Sequence, residues 1–165
     1  MFLQKAISKR IDDNNPVKVA LIGAGKFGSM FLSQVPSTKG LEVTVIADLN
    51  PENAKKACRN VGWTEDLINK TQFVDDALKA IKMSEVEVVV EATGFPPAGI
   101  EHARHSFQNG KHIVMVNVEA DVLAGSALAK EAEQAGVVYS MAYGDQPALT
   151  AEIVEWARAS GFHVS

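Results

Sequence analysis

Three glycines, Gly23, Gly25 and Gly28, have the spacing Gly-x-Gly-x-x-Gly and are the most informative residues of this 165-residue chain. They follow the apolar run at residues 17–22 and precede apolar residues at helical spacing. In such a place the first glycine allows a tight turn, and the second lets backbone approach a pyrophosphate. The third lets a helix pack close to a strand. The pattern predicts a dinucleotide site, and a simple tight β–α connection is the alternative.

Lys26 and Phe27 lie between the last two glycines, and we include both in the predicted cofactor site. A helix that starts here would offer free N–H groups and a partial positive charge to phosphates. Lys55 and Lys56 could also meet a phosphate, although a solvated helix face is their more ordinary role.

Asp48 ends the second apolar run, about 20 residues after the glycines. A carboxylate there can accept hydrogen bonds from the adenosine ribose hydroxyls, and it would repel a 2′-phosphate. It therefore favours NAD over NADP as the cofactor. The alternative is a turn residue within the Asp-Leu-Asn-Pro sequence at 48–51.

Small and polar residues follow the later apolar runs, where a parallel sheet would bind its ligand. Ala92, Thr93 and Gly94 could leave room for the cofactor and bond its ribose or nicotinamide; a rigid, proline-set turn is the alternative. Asn117 is expected at the cofactor as well. The candidate catalytic residues, predicted to face the nicotinamide or the substrate, are Asn117, Glu119, Asp145 and Gln146.

Other polar side chains have simpler interpretations. Asp121 is expected to be the N-cap of a helix, and a loop-and-cap role remains open for Asp145 and Gln146. His102 and His105 are interpreted as a solvated surface pair, because no third or fourth metal ligand is placed with them. Cys58 is expected to be an inert, partly buried residue. We predict no metal site.

Apolar runs alternate with helical stripes from residue 17 onward. We predict strands at 17–22, 41–47, 72–74, 86–90 and 112–116, from 137, and at 162–164. The last helix is expected to turn Leu149, Ile153 and Trp156 inward. The fold class is therefore α/β, a Rossmann-type doubly wound, mostly parallel sheet with helices on both faces. Residues 16–165 form this NAD(P)-binding domain.

Residues 1–15 contain a short amphipathic helix at 2–12 that ends before Asn-Asn-Pro. It must dock on this domain, on a missing domain or on a second subunit, and the sequence leaves all three open. Because the chain stops as a strand is expected to begin, we expect it to be the first part of a longer protein.

The composition excludes several classes of protein. Hydrophobic residues make up 47% and the net charge is −4, which argues against a nucleic-acid binder. No apolar run reaches the roughly 18 residues that span a bilayer, and the N-terminus lacks a signal-peptide pattern. One cysteine allows no intrachain disulfide, which fits the cytoplasm. We therefore expect a cytoplasmic protein with a small-molecule substrate and no nucleic-acid or membrane partner.

Three stretches, at residues 89–94, 110–121 and 137–148, resemble the homoserine-dehydrogenase-like oxidoreductases that include the deoxyxylulose-phosphate-reductoisomerase-like enzymes. The resemblance implies an NAD(P)-binding domain followed by a catalytic and dimerisation domain, and often by an SAF domain. It also implies a homo-oligomer formed through that missing C-terminal part. The implied activity is hydride transfer between a nicotinamide cofactor and a small polar, possibly phosphorylated, carbonyl or hydroxy substrate.

Two positions depart from that group. The NADPH-using relatives tend to carry basic residues where this chain has Asp48, which argues against reductoisomerase activity. Homoserine dehydrogenases carry a lysine after the asparagine, where this chain has Val118. An oxidoreductase is the expected function. A non-catalytic dinucleotide sensor is the main alternative, and a structural domain with a vestigial site is a third.

Overall fold

The computed structural model describes residues 2–144 and 146–165, with side chains from 5 to 144 and from 148 to 165. Six parallel strands form one sheet in the order β3-β2-β1-β4-β5-β6. Their bounds are β1 Val17–Ile22, β2 Leu41–Ala47, β3 Gln72–Val74, β4 Val88–Glu91, β5 His112–Met115 and β6 Tyr139–Met141. The predicted Rossmann-type α/β class is confirmed.

Eight α-helices are described, and a 3-10 turn at Val35–Ser37 follows the second of them. The helices are α1 Phe2–Asp12, α2 Lys26–Gln34, α3 Pro51–Asn60, α4 Glu65–Lys70, α5 Ala77–Ile81, α6 Pro96–Gln108, α7 Val118–Ala135 and α8 Gln146–Ala159. Among the described residues, no helix is both long enough and apolar enough to cross a membrane.

The sheet is covered by helices on both faces, because each central strand is apolar on both sides. Along β1, Val19 and Leu21 point to the core that α2, α3 and α4 form, while Ala20 and Ile22 point to the core under α5, α6 and α7. The near-continuous apolar runs in the sequence are thus explained by burial on both faces.

Side-chain caps set where several helices begin. The Asn50 side chain accepts a hydrogen bond from the Asn53 N–H, with Pro51 in the first turn of α3. Thr64 starts α4 in the same way, a short helix that the sequence prediction omits. Gly136, with a φ of 69°, ends α7 in the left-handed conformation that favours glycine.

Two predictions about these elements are wrong: the N-cap of α7 and the strand at 162–164. Asn117, not Asp121, is the N-cap of α7, since its side chain accepts from the Ala120 N–H at the exit of β5. Asp121 lies inside the helix and accepts a hydrogen bond from the Tyr139 hydroxyl at 2.7 Å. Residues 162–164 are not a strand: their apolar residues follow Gly161 without a neighbouring strand to pair with.

The predicted inward face of α8 is also wrong. Ile153 and Trp156 are each 65% exposed, and Leu149 is 37% exposed. The apolar spacing correctly predicts an amphipathic helix, but spacing does not name the surface that covers it. Within the described residues this face stays open to solvent.

Helix α1 lies against this domain, at the edge of the sheet where the strands begin. Arg10 Nη2 is 2.6 Å from Glu87 Oε1, just before β4, and its Nε donates to the Asn15 carbonyl at 2.8 Å. A Cβ on Gly40 would lie 3.0 Å from the side chains of Ile7 and Ile11. The helix therefore docks at the opposite edge from the glycine turn.

Candidate functional site

A cavity of about 600 Å³ opens beyond the carboxyl ends of β1, β2, β3 and β4. The strand order reverses between β1 and β4, and ligands of open α/β sheets bind at such a point. Its walls come from the glycine turn, the loops after β2, β3 and β4, and the first half of α6. The volume is in the range of small-molecule sites.

The glycine turn is built from backbone that tolerates few side chains. Gly23 has a φ of 91°, and a Cβ there would lie 2.8 Å from the Ala92 carbonyl oxygen. A Cβ on Gly28 would collide with the Gly23 carbonyl oxygen, so the start of α2 packs directly against the turn. Both glycines thus allow the turn after β1 to pack closely against the end of β4 and the start of α2.

Gly25 has a different environment, because a Cβ there would meet nothing within 4 Å. It lines the cavity and is the N-cap of α2, with no side-chain hydrogen bond to that helix end. The first N–H groups of α2 therefore lack a side-chain cap at this position. An uncapped helix start beside an open cavity is where an anion such as a phosphate binds.

Asp48 supports the turn and also lines the cavity. Its Oδ2 accepts a hydrogen bond from the Ala24 N–H at 2.9 Å, and its Oδ1 accepts one from the Asn50 N–H at 2.9 Å. A carboxylate has about four acceptor positions, so each oxygen can take a further bond. The turn role and a ligand role are compatible in this geometry.

The charge on the cavity wall is mostly negative. Carboxylates come from Asp48, Asp75, Asp76 and Glu101, and within the described part of the chain His102 is the single basic side chain of the lining. Asp76 also caps α5, because its Oδ1 accepts from the Leu78 N–H at 2.8 Å. An acidic wall after β2 and β3 would repel an additional phosphate on the adenosine ribose.

The carboxylate of Glu91, at the end of β4, is completely buried. Its Oε1 accepts hydrogen bonds from the Thr93 N–H at 3.2 Å and the Thr93 hydroxyl at 2.5 Å, and lies 3.3 Å from His102 Nδ1. Its Oε2 has no hydrogen-bond partner among the described residues. No local sequence pattern indicates that Glu91 is buried or that it meets His102.

The prediction that His102 and His105 form a solvated surface pair is wrong. His102 is only 8% exposed, and His105 is half-buried. The sequence contains a signal for this. Gly99, Ala103 and Phe107 share one helical stripe, and residue 102 belongs to the same buried face of α6. His105 Nε2 lies 3.9 Å from Glu101 Oε1 and does not line the cavity.

Of the four predicted catalytic residues, the two whose side chains are described, Asn117 and Glu119, do not line the cavity. Asn117 is 2% exposed; its Oδ1 caps α7, and its Nδ2 has no hydrogen-bond partner among the described residues. Glu119 is exposed on α7 and does not line the cavity. Asp145 lies outside the described residues, as does the side chain of Gln146.

Only some of the predicted cofactor residues line the cavity. Those that line the cavity are Gly23, Gly25, Asp48, Ala92 and Thr93. Those outside its lining are Lys26, Phe27, Gly28, Gly94 and Asn117. Gly28 acts from behind the turn, and Phe27 is 47% exposed.

Two other groups are unsuited to chemistry in this cavity. Cys58, on the buried face of α3, is fully buried, and burial raises the pKa of its thiol to about 11. Burial, together with the Asp121 carboxylate, raises the pKa of Tyr139 above its usual value. Neither is a reactive nucleophile or base at neutral pH.

One curated relative is similar to much of this chain. It is a homoserine dehydrogenase from Neisseria gonorrhoeae, 26% identical over an alignment of 132 residues, and the match covers 74% of this chain and 28% of that protein. The chain thus spans less than a third of the length of this relative. The match supports the homoserine-dehydrogenase-like resemblance that the sequence predicts.

Solved structures share the fold. A homoserine dehydrogenase from Thiobacillus denitrificans has a TM-score of 0.64 at 21% identity, over 76% of this chain and 29% of that one. Myo-inositol dehydrogenase from Lactobacillus casei, solved with NAD(H) and myo-inositol, has a TM-score of 0.65 at 18% identity, over 85% and 42%.

The family model GFO_IDH_MocA, described as an oxidoreductase family with an NAD-binding Rossmann fold, matches residues 17–143. That range is well over half of the chain and contains all six strands and the glycine turn. By this match, the chain belongs to the GFO_IDH_MocA family of NAD-binding Rossmann oxidoreductases.

Proposed function

We propose that this domain binds NAD(H) in the cavity and serves as the cofactor-binding part of an oxidoreductase with a small polar carbonyl or hydroxy substrate. The observation that carries the proposal is the position of Gly25. It is the N-cap of α2, it lines the cavity, and the space where a Cβ would lie is free. The pyrophosphate would lie there, with the adenosine ribose toward Asp48 and the nicotinamide end toward Ala92 and Thr93.

The preference for NAD over NADP is part of the proposal. Three carboxylates, on Asp48, Asp75 and Asp76, line the cavity after β2 and β3, where the adenosine would lie. A 2′-phosphate would place about two negative charges among them. Lys55 is paired with Glu52 at 2.7 Å. Lys79 lies 3.7 Å from Asp75 and 3.9 Å from Asp76 and reduces the charge of those two carboxylates, so Asp48 carries most of this preference.

The nicotinamide ring would supply the hydride chemistry, and the protein would position it. The small side chain of Ala92 and the hydroxyl of Thr93 border that end of the cavity. Two relatives are named as dehydrogenases of small hydroxylated substrates, which supports the substrate class proposed for this chain. We further propose that the whole protein is cytoplasmic and forms a homo-oligomer through parts beyond this domain.

Calorimetric titration of the 165-residue chain with NADH and NADPH tests the proposal. We expect NADH to bind more tightly than NADPH, and Gly25→Leu to abolish binding, because its side chain would fill the phosphate position without meeting any protein atom at its Cβ. Ser33→Leu, at an exposed position on the same helix, is the matched control and should bind as the unaltered chain does. Absence of binding of both dinucleotides at millimolar concentration would refute the proposal.

A dinucleotide sensor without catalysis is the second candidate. It is favoured by one observation: the predicted catalytic residues Asn117 and Glu119 do not line the cavity. Turnover of any carbonyl or hydroxy substrate by the full-length protein would eliminate it. Cofactor binding with no turnover across a panel of such substrates would support it instead.

A further inference from the structure

Among the described residues, His102 is the one basic side chain in the cavity lining, which also holds four carboxylates. It projects from the second turn of α6 and is 8% exposed, so the rest of its ring is packed inside the protein. A dinucleotide carries ribose hydroxyls that can donate hydrogen bonds. An imidazole nitrogen at this wall can accept such a bond from the ligand.

Glu91 determines which nitrogen of His102 can face a ligand. Its buried Oε1 already accepts hydrogen bonds from the Thr93 N–H and hydroxyl and lies 3.3 Å from Nδ1, so it faces the ring as an acceptor. Nδ1 must then carry a proton toward Glu91, which leaves Nε2 as the nitrogen for other partners. A carboxylate behind an imidazole is a common way to fix the orientation and tautomer of the ring.

Glu91 is itself held in place by the loop that it supports. Both the backbone N–H and the hydroxyl of Thr93 donate to the oxygen that faces His102. Thr93 and His102 also both line the cavity. One carboxylate thus connects the loop after β4 to the wall formed by α6.

We propose that Glu91 and His102 are a positioning pair for the bound dinucleotide. The His102 Nε2 accepts a hydrogen bond from a ribose hydroxyl in the sugar–pyrophosphate portion, while Glu91 holds the ring and the Thr93 loop. Gly23 and Gly25, which line the same cavity, bring that portion of the ligand to this wall. The inference rests on the proposed function, because it requires a dinucleotide in the cavity.

Two substitutions of similar polarity separate a ligand contact from a structural role. His102→Asn places an amide where Nδ1 lies, next to Glu91, and lacks a group at Nε2. His102→Gln extends an amide to the Nε2 position. We expect His102→Asn to weaken NADH binding about tenfold, the equivalent of one lost hydrogen bond, and His102→Gln to retain most of the affinity. A purely structural role predicts the reverse order, which would overturn the inference.

His105→Gln is the matched control, since it changes the other histidine of α6, which does not line the cavity. Its NADH affinity should equal that of the unaltered chain. An equal loss of NADH affinity in His105→Gln and His102→Asn would overturn the inference, because it would indicate a general effect on α6.

Nitrogen-15 NMR of the histidine rings gives a readout that does not depend on any substitution. We expect the His102 Nδ1 to be protonated without ligand, and NADH to shift its Nε2 signal while leaving that of His105 unchanged. Bound NADH with no shift at the His102 Nε2 overturns this inference alone. If neither NADH nor NADPH binds the unaltered chain, the proposed function fails, and this inference fails with it.

Discussion

Asp48 shows how one side chain can serve both the fold and the ligand. Its two oxygens hold the N–H groups of Ala24 and Asn50, and this fixes the glycine turn against the loop after β2. The same carboxylate lines the cavity. The turn role is therefore observed, and the place of Asp48 in the cavity lining is compatible with the proposed ligand role.

The charge of Asp48 is expected to contribute to the choice of cofactor. Asp48→Asn removes the charge and keeps one carbonyl oxygen as an acceptor. We expect the preference for NADH over NADPH to fall roughly tenfold, because the repulsion of a 2′-phosphate is reduced. Calorimetry with both dinucleotides measures this. Asp66→Asn, an equal charge change at an exposed position of α4, should leave the preference unchanged.

Gly28 and Gly25 allow a matched comparison of how an added Cβ changes the free energy of unfolding. Alanine inside a helix is normally more stable than glycine by about 0.5–1 kcal/mol. At Gly28 a Cβ would collide with the Gly23 carbonyl oxygen, so we expect Gly28→Ala to destabilise the fold by about 1–3 kcal/mol. Gly25→Ala should be nearly neutral, since nothing lies within 4 Å. Urea unfolding compares them, and equal stabilities would contradict the packing argument.

At the scale of the elements, buried polar side chains join the loops to the sheet. Lys111, between α6 and β5, is 8% exposed. Its ammonium donates to the carbonyls of Val86 at 2.6 Å and Met83 at 2.9 Å. It thereby connects the end of α5 to the residues before β4, on the edge of the sheet where the strands begin.

Lys111→Met should keep the packing of the alkyl chain while leaving these carbonyls without their donor. We expect a loss of about 2–3 kcal/mol in the free energy of unfolding, because buried acceptors would lose charged hydrogen bonds. Lys82→Met, at an exposed position after α5, is the control and should change stability little. A similar small change at Lys111 would show that water replaces the ammonium.

At the scale of the whole molecule, the two tryptophans have opposite environments. Trp63 is 5% exposed and its Nε1 donates to the Leu32 carbonyl at 2.8 Å. Trp156, on the apolar face of α8, is 65% exposed. An amphipathic face left open in this way is typical of a surface that meets another domain or chain.

Fluorescence quenching distinguishes the two environments. In the Trp63→Phe variant, acrylamide should quench the remaining Trp156 strongly, whereas in the Trp156→Phe variant it should quench Trp63 weakly. Protection of Trp156 in the 165-residue chain would contradict the open face and indicate that another copy of the chain covers it. Light scattering at the same concentrations would identify such an association.

Local patterns were enough to determine the six strands of the sheet, most of the helices, the glycine turn and the position of Asp48. Each depends on periodicity or on conformational preferences within a few residues. Only the tertiary structure decided that Asn117 is buried as a cap, that α8 exposes its apolar face, and that Glu91 and His102 meet across eleven positions of the chain. Those outcomes depend on which surfaces pack together, and a one-dimensional pattern of polarity does not specify the partner of a buried group.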